Sequence, residues 1–366
     1  MEIQKEKILE ALKEIRHPGT KESIVSSGMV RDVEYKEGEL WLTLQFSRPN
    51  DPFIRSIRKA CRQNINNTFG EETLPEGHIR VEVPEKAGSP EILPGVKNIV
   101  AVASGKGGVG KSTVAANLAA ALARSGSGVG LIDADVYGPS IPKMFGVEGE
   151  RPSARAEEGQ EWIVPIEKYG VKILSVGLFV RPEDAVVWRG PMATNALKQL
   201  ISQGDWGTLD YLIIDLPPGT GDVHLTMVQE VPVTGVVIVT TPQDVALAAV
   251  IKGINMFAGD RINVPVLGIV ENMAWFTPEE LPDKRYYIFG EEGGRKLAEK
   301  VGIDLLGQIP IIMGIRESGD TGEPVALSPE KPAGKAFQNL AQSVKEAVDR
   351  RNREKAPTKK VDITTR

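Results

Sequence analysis

Apolar residues recur at helical spacing near the start of the chain: Ile8, Leu9, Leu12 and Ile15 share one face, and His17-Pro18-Gly19 ends the pattern. Two strand-like runs follow at residues 29–35 and 40–46, joined by a turn at Gly38. Asp51-Pro52 opens a second helix through about Asn67, with Phe53, Ile54, Ile57, Cys61 and Ile65 on one side, and residues 78–83 read as a closing strand. Residues 1–85 thus read as a small α/β domain. Residues 86–97 are rich in Pro and Gly, lack periodicity and read as a linker.

The pattern changes at Asn98. Strand candidates at residues 99–103, 128–132, 171–176, 211–215, 235–240 and 264–270, several of them nearly continuous apolar runs, alternate with longer helical stretches. Strands apolar on both faces are those of a parallel sheet covered on both sides. The expected fold class is α/β: residues 98–351 form a doubly wound, mostly parallel sheet. The last helix spans residues 333–351, and residues 352–366 read as a basic disordered tail.

Hydrophobic residues make up 41% and charged residues 25%, which excludes global disorder. The net charge of −5 argues against a specific nucleic-acid binder, which needs clustered positive charge. The single cysteine, Cys61, excludes an intramolecular disulfide and any all-cysteine metal site within one chain. The N-terminus lacks the apolar stretch of a signal peptide, no apolar run reaches the about 18 residues of a membrane span, and the polar tail lacks an apolar face. A cytoplasmic protein without stable membrane anchoring is expected.

The strand at residues 99–103 leads into GKGGVGKST at residues 105–113, which fits the P-loop pattern GxxxxGK[ST]. In such a loop the backbone N–H groups of Gly105, Lys106, Gly107, Gly108, Val109 and Gly110 turn toward phosphate, and the following helix adds its positive end. Lys111 is placed for the β- and γ-phosphates, Ser112 for Mg²⁺ and Thr113 for the α-phosphate. Asp133 and Asp135 end the next strand, where doubly wound sheets bind ligands. Asp135 is the candidate to orient or deprotonate the attacking water, and Asp133 to serve the metal shell. Asp215 ends the apolar run YLIID and is a second Mg²⁺ candidate; Gly219 is placed to sense the γ-phosphate. No NKxD string, the usual guanine reader, occurs, and Asn272 is a candidate adenine reader, so ATP is the expected nucleotide.

Lys106 is unconstrained in an ordinary P-loop. KGGVGKS resembles the deviant P-loop class of MinD, ParA, the nitrogenase iron protein and Mrp/ApbC. In that class the first lysine reaches the nucleotide of the partner subunit, which implies a homodimer and dimer-dependent hydrolysis. The match narrows with DADVYGPSIP, WRGPMATNALKQLI, DYLIIDLPPGTGD, GQIPI and IRESGDTGEP, which resemble the Mrp/ApbC family over residues 95–350. The N-terminal domain is similar to the small domain of iron–sulfur assembly factors. The resemblance implies an ATP- and Mg²⁺-dependent ATPase that holds an iron–sulfur cluster, such as a [4Fe-4S] cluster, at its dimer interface and transfers it to apo-proteins. An alternative is a MinD/ParA-like switch that dimerises with ATP and releases a partner on hydrolysis, without a cluster.

The family's ligands are a CxxC pair soon after the NM dipeptide. Here that stretch reads ENMAWFTPEELPDKRYYIFGEEGG, without cysteine. Glu279, Glu280 and Asp283 are hard ligands and poor substitutes for thiolate. Cys61, on an apolar helix face, reads as core rather than ligand. The acidic DPE turn usual in the small domain is replaced by His17-Pro18-Gly19, where His17 is expected to meet the helix dipole. His17, His78 and His224 show no metal-ligand spacing.

Overall fold

The computed structural model describes residues 3–36, 39–46, 51–70, 72–82, 93–157, 159–179, 190–259, 262–278, 280–281 and 284–358. The expected turn at Gly38, Val83, linker residues 86–92, Trp188 and Arg189, Glu279, Asp283 and tail residues 359–366 lie outside them. The chain divides into two units, Met1–Glu91 and Ile92–Arg366.

The first unit runs α1 (Lys5–Leu12), β1 (Val30–Lys36), β2 (Glu39–Gln45), α2 (Ile54–Phe69) and β3 (Ile79–Glu82). Its sheet has the order β1-β2-β3, antiparallel then parallel. Leu40, Leu42 and Leu44 alternate onto one face and are buried with Ile8, Leu12, Ile57, Cys61 and Ile65. Burying each Leu or Ile contributes roughly 1.5–3 kcal/mol. α1 stops at Leu12, short of the expected Ile15, because the chain then folds into a tight return. His17 is the knot of that return rather than a partner of the helix dipole. Its N–H donates to Glu22 O (2.8 Å), its carbonyl accepts from Lys21 N (2.8 Å), and its Nδ1 accepts from Gly19 N and Thr20 N, each at 3.2 Å.

The second unit runs β4 (Val96–Ser104), α3 (Lys111–Arg124), β5 (Val129–Asp133), α4 (Ile141–Met144), β6 (Ser153–Glu157), β7 (Gln160–Val164), β8 (Ile166–Lys168), β9 (Val171–Ser175), α5 (Gly190–Gln203), β10 (Leu209–Asp215), α6 (Asp222–Glu230), β11 (Gly235–Thr240), α7 (Asp244–Ala258), β12 (Val266–Phe276), α8 (Gly293–Val301), β13 (Leu305–Ile311), α9 (Met313–Thr321) and α10 (Pro332–Glu354). The strand order is β13-β12-β11-β4-β10-β5-β9-β8, parallel except for the edge strand β8. The pleat divides the core. Val100, Val102, Tyr211 and Ile213 face α3 and α10, with Leu118, Leu122, Phe337, Leu340 and Val344. Ile99, Ala101, Leu212 and Ile214 face the other layer, with Leu197, Met227, Val250, Ile254 and Leu297.

Six strands of this sheet are visible as apolar runs; β8, β13 and the β6–β7 hairpin are not. The hairpin is mostly exposed, so it carries no burial pattern to read. β4 starts at Val96, inside the stretch expected to be linker, because Val96 pairs with Leu209. β12 continues six residues past the expected end at Val270, so Asn272 lies within a strand rather than a loop. α10 continues to Glu354, past the expected end at Arg351. Arg351 reaches into the chain beyond it, donating to Ala356 O (2.9 Å) and Thr358 Oγ1 (2.5 Å). Among the described residues no helix is long and apolar enough to cross a membrane.

Candidate functional site

The sheet order places β4 beside β10 and β10 beside β5, and register sets Asp215 opposite both Val102 and Asp133. Three sequence-distant segments therefore end together: the loop 105–110, Asp215, and the Asp133–Asp135 turn.

Two loop glycines have identifiable necessity. Gly110 has φ +79°, and a Cβ there would lie 2.2 Å from Asn272 Nδ2; Gly105 would place a Cβ 2.4 Å from the carbonyl carbon of Ala249 on α7. The loop is pinned from two sides. Ser104 Oγ donates to Lys106 O (3.0 Å), and Asn272 Nδ2 donates to Val109 O (2.9 Å). Lys106, Gly107, Gly108, Val109, Gly110, Lys111, Ser112 and Thr113 line one pocket of about 230 Å³ together with Asp135 and Pro218, while Gly105 is set against Ala249 of α7.

Lys111 is 6% exposed and Asp215 is fully buried; Lys111 Nζ donates to Asp215 Oδ1 (2.5 Å) and to Ser112 Oγ (3.1 Å). Asp215 Oδ2 has no hydrogen-bond partner among the described residues. Burial raises the Asp215 pKa, and the Lys111 charge opposes that shift. Asp133 is fully buried too, and burial together with the charge of Asp215 pushes it up to about 7. Two buried carboxylates thus face one lysine. An unpaired buried carboxylate oxygen beside a hydroxyl, with negative charge in excess, fits a hard divalent cation held by oxygen ligands.

Asp133 has further occupation. Its Oδ1 accepts from Asp135 N (3.1 Å), and its Oδ2 accepts from Ser140 N (3.1 Å), Ile141 N (3.2 Å) and Ser175 Oγ (3.1 Å). These four donors make it the anchor of the 134–141 turn. That turn holds Asp135, which is half-buried and faces both the 230 Å³ pocket and a neighbouring cavity of about 710 Å³. Ser175, at the end of β9, was not among the sequence candidates. Its contact joins positions 42 residues apart, which no local motif encodes.

Asn272 is 6% exposed and lines a cavity of about 430 Å³ with Thr113, Met273, Phe289, Pro310 and Ile311, largely apolar and open to the P-loop at Gly110. With Nδ2 spent on Val109, its Oδ1 is the atom left to accept from a base amino group. Gly219 has φ +92°, and its N–H donates to Ser104 O (3.0 Å). Lys106 is half-exposed and its Nζ makes no ion pair among the described residues.

Cys61 does not join this constellation. It is buried in the core of the first unit, and burial pushes its thiol up to about 12, far from the thiolate that would bind metal. Among the described residues no group of three His, Cys, Asp or Glu is arranged to hold a metal ion. Glu280 is exposed.

Residues 95–345 match the family described as NUBPL iron-transfer P-loop NTPase, and residues 5–73 match the iron–sulfur cluster assembly protein domain. The iron–sulfur cluster carrier protein of Synechocystis sp. is 42% identical over 92% of this chain and 96% of its own length. The iron–sulfur cluster transfer protein NUBPL of Dictyostelium discoideum is 43% identical over 83% of this chain and 91% of its own. Among solved structures, a nucleotide-binding protein in complex with ADP from Archaeoglobus fulgidus is similar at 37% identity and a TM-score of 0.57, over 67% of this chain and 93% of that one. These matches cover both units and agree with the Mrp/ApbC resemblance of the motifs: the chain belongs to the NUBPL iron-transfer P-loop NTPases.

Proposed function

We propose that the chain is a Mg²⁺-dependent ATPase that works as a homodimer and delivers iron–sulfur clusters to apo-proteins. The observation that carries the nucleotide half is the buried Lys111–Asp215 pair at the foot of the P-loop, with one Asp215 oxygen left unpaired. The cargo half rests on relatives above 40% identity that span nearly the whole chain and are themselves cluster carriers.

On this reading the loop N–H groups bind the phosphates, and Lys111 leaves Asp215 to reach the β- and γ-phosphates. Ser112 and Asp215 would hold Mg²⁺, which would supply neutralising charge to the phosphate oxygens. Asp133 acts by holding Asp135 in place, and Asp135 orients the attacking water or takes its proton. The base sits in the cavity at Asn272. Lys106, unpaired at the loop surface, reaches the nucleotide of the second subunit. Lys106→Ala is therefore expected to bind ATP within about twofold of wild type and to lose about 10²–10³-fold in turnover, the usual cost of one preorganised donor to developing charge. Steady-state hydrolysis at several protein concentrations checks this, and an unchanged rate would remove the shared-site arrangement.

The cluster is substrate here rather than a resident group. The chain's one thiol is in the small-domain core, so thiolates from elsewhere, supplied by small thiols or by the client, complete its coordination. After anaerobic reconstitution with iron and sulfide, wild type and Cys61→Ala should hold equal iron per dimer. Loss of iron in the variant would make Cys61 a ligand. Iron-free protein in both, with cellular iron–sulfur enzymes intact after gene deletion, would favour the second reading. That reading is an ATP-gated switch of the MinD/ParA kind that binds and releases a protein partner without cargo. The single buried cysteine is what keeps it in play.

A further inference from the structure

His224 lies in the first turn of α6, directly after the loop that carries Gly219. It is 1% exposed, and neither Nδ1 nor Nε2 has a hydrogen-bond partner among the described residues. Burial pushes the ring down to about 4, so it is neutral at pH 7, with one N–H to donate and one nitrogen to accept. Buried polar groups in native proteins are nearly always paired, so a ring orphaned at both nitrogens calls for an explanation.

The surroundings supply one. The carbonyls of Pro217 and Gly221 are near enough to favour the protonated ring, but neither completes a hydrogen bond to it. Gly221 O already accepts from His224 N (3.1 Å), whereas among the described residues no backbone N–H outside the regular elements donates to Pro217 O, so Pro217 O is the less committed acceptor. Pro217 is two residues from Gly219, whose N–H is held by Ser104 O. For that N–H to meet a terminal phosphate it must leave Ser104, and the 217–221 segment must turn with it. The cavity of about 710 Å³ bounded by Asp135, Pro217, Pro218, Gly221 and His224 gives the segment room.

We propose that His224 is a positioning residue for the nucleotide response: its ring N–H takes the Pro217 carbonyl when Gly219 turns from Ser104 to the γ-phosphate. The bond is made only in the ATP-bound arrangement, so it favours ATP over ADP without touching either. This deepens the ATPase reading and rests on it.

The test compares affinity for a non-hydrolysable ATP analogue with affinity for ADP, alongside Tm, in wild type, His224→Leu and His224→Gln. In His224→Leu the ratio of analogue to ADP affinity should fall about tenfold, the worth of one buried hydrogen bond. Its Tm should hold or rise, because an unpaired polar group has been removed. His224→Gln, which keeps a donor, should recover part of the ratio. An unchanged ratio in His224→Leu overturns the proposal while leaving the ATPase reading intact. Equal losses for both nucleotides, with a lower Tm, also overturn it, since they mark a purely structural side chain. A wild type that binds neither nucleotide overturns the ATPase reading itself.

Discussion

Lys111→Ala is expected to lose ATP and ADP affinity by about 100-fold or more. On the proposed mechanism the side chain supplies charge-assisted hydrogen bonds to two phosphates, each worth about 1.5–3 kcal/mol, and about 3 kcal/mol already corresponds to more than 100-fold. Equilibrium binding of a fluorescent nucleotide checks this. The same substitution has a second effect that a phosphate contact alone would not predict. Asp215 is fully buried, and Lys111 is the cation that holds it. Removing one partner of a buried pair typically costs about 3–5 kcal/mol, so the variant should unfold at lower temperature.

That cost has a pH signature. Burial raises Asp215 above its unfolded value of 3.8, and in the variant no lysine opposes the shift. Between the unfolded and folded pKa values the native state then binds more protons than the unfolded state, so stability falls as pH rises through that window. The deficit against wild type should be small near pH 4 and largest above the folded pKa. Lys111→Ala combined with Asp215→Asn should recover much of the stability and none of the binding. A single variant as stable as wild type at every pH would mean that the pair does not matter to the fold.

Asp135→Ala is expected to separate binding from turnover. The carboxylate is held at the pocket wall by a turn anchored on Asp133, and on the proposed mechanism it acts on the attacking water rather than on the bound phosphates. Loss of a general base or water-orienting group typically costs about 10²–10⁴-fold in rate. Affinity for ATP should stay within a few-fold, and the variant should accumulate as an ATP-bound dimer in sedimentation. Hydrolysis at the wild-type rate would move the water-positioning role elsewhere.

Much of this was legible in the sequence, for a physical reason. A phosphate loop needs backbone that only glycine tolerates, so its chemistry is written as residue identity at Gly105 and Gly110. Parallel strands buried on both faces are written as apolar runs, several of them nearly unbroken, which placed six of the eight strands of the large sheet. What stayed hidden depends on tertiary proximity. The four donors to Asp133 include Ser175, 42 positions away. The stop of α1 before Ile15 depends on backbone bonds from His17 to Lys21 and Glu22. The β6–β7 hairpin lacks a buried face, so its alternation is silent. The pairing of Lys111 with Asp215 was hidden as well: each was assigned to nucleotide or metal separately, and only the register of β10 against β4 sets them side by side.

The unexpected length of β12 ties two ends of the molecule's chemistry together. One continuous strand carries Asn272, which grips the P-loop through Val109, and Phe276, which exchanges backbone hydrogen bonds with Tyr286 (2.9 and 2.8 Å) in the cysteine-free segment after the NM dipeptide. Between them the strand is irregular: Met273 takes φ +56°. β12 is held on both sides from Ile269 to Glu271 and by β13 alone beyond, with an interruption of that ladder between Asn272 and Phe276. An irregular step between a gripped end and an outer end acts as a joint: the outer end can shift while Asn272 keeps its hold on Val109. The cysteine-free segment can change its chemistry without changing that linkage.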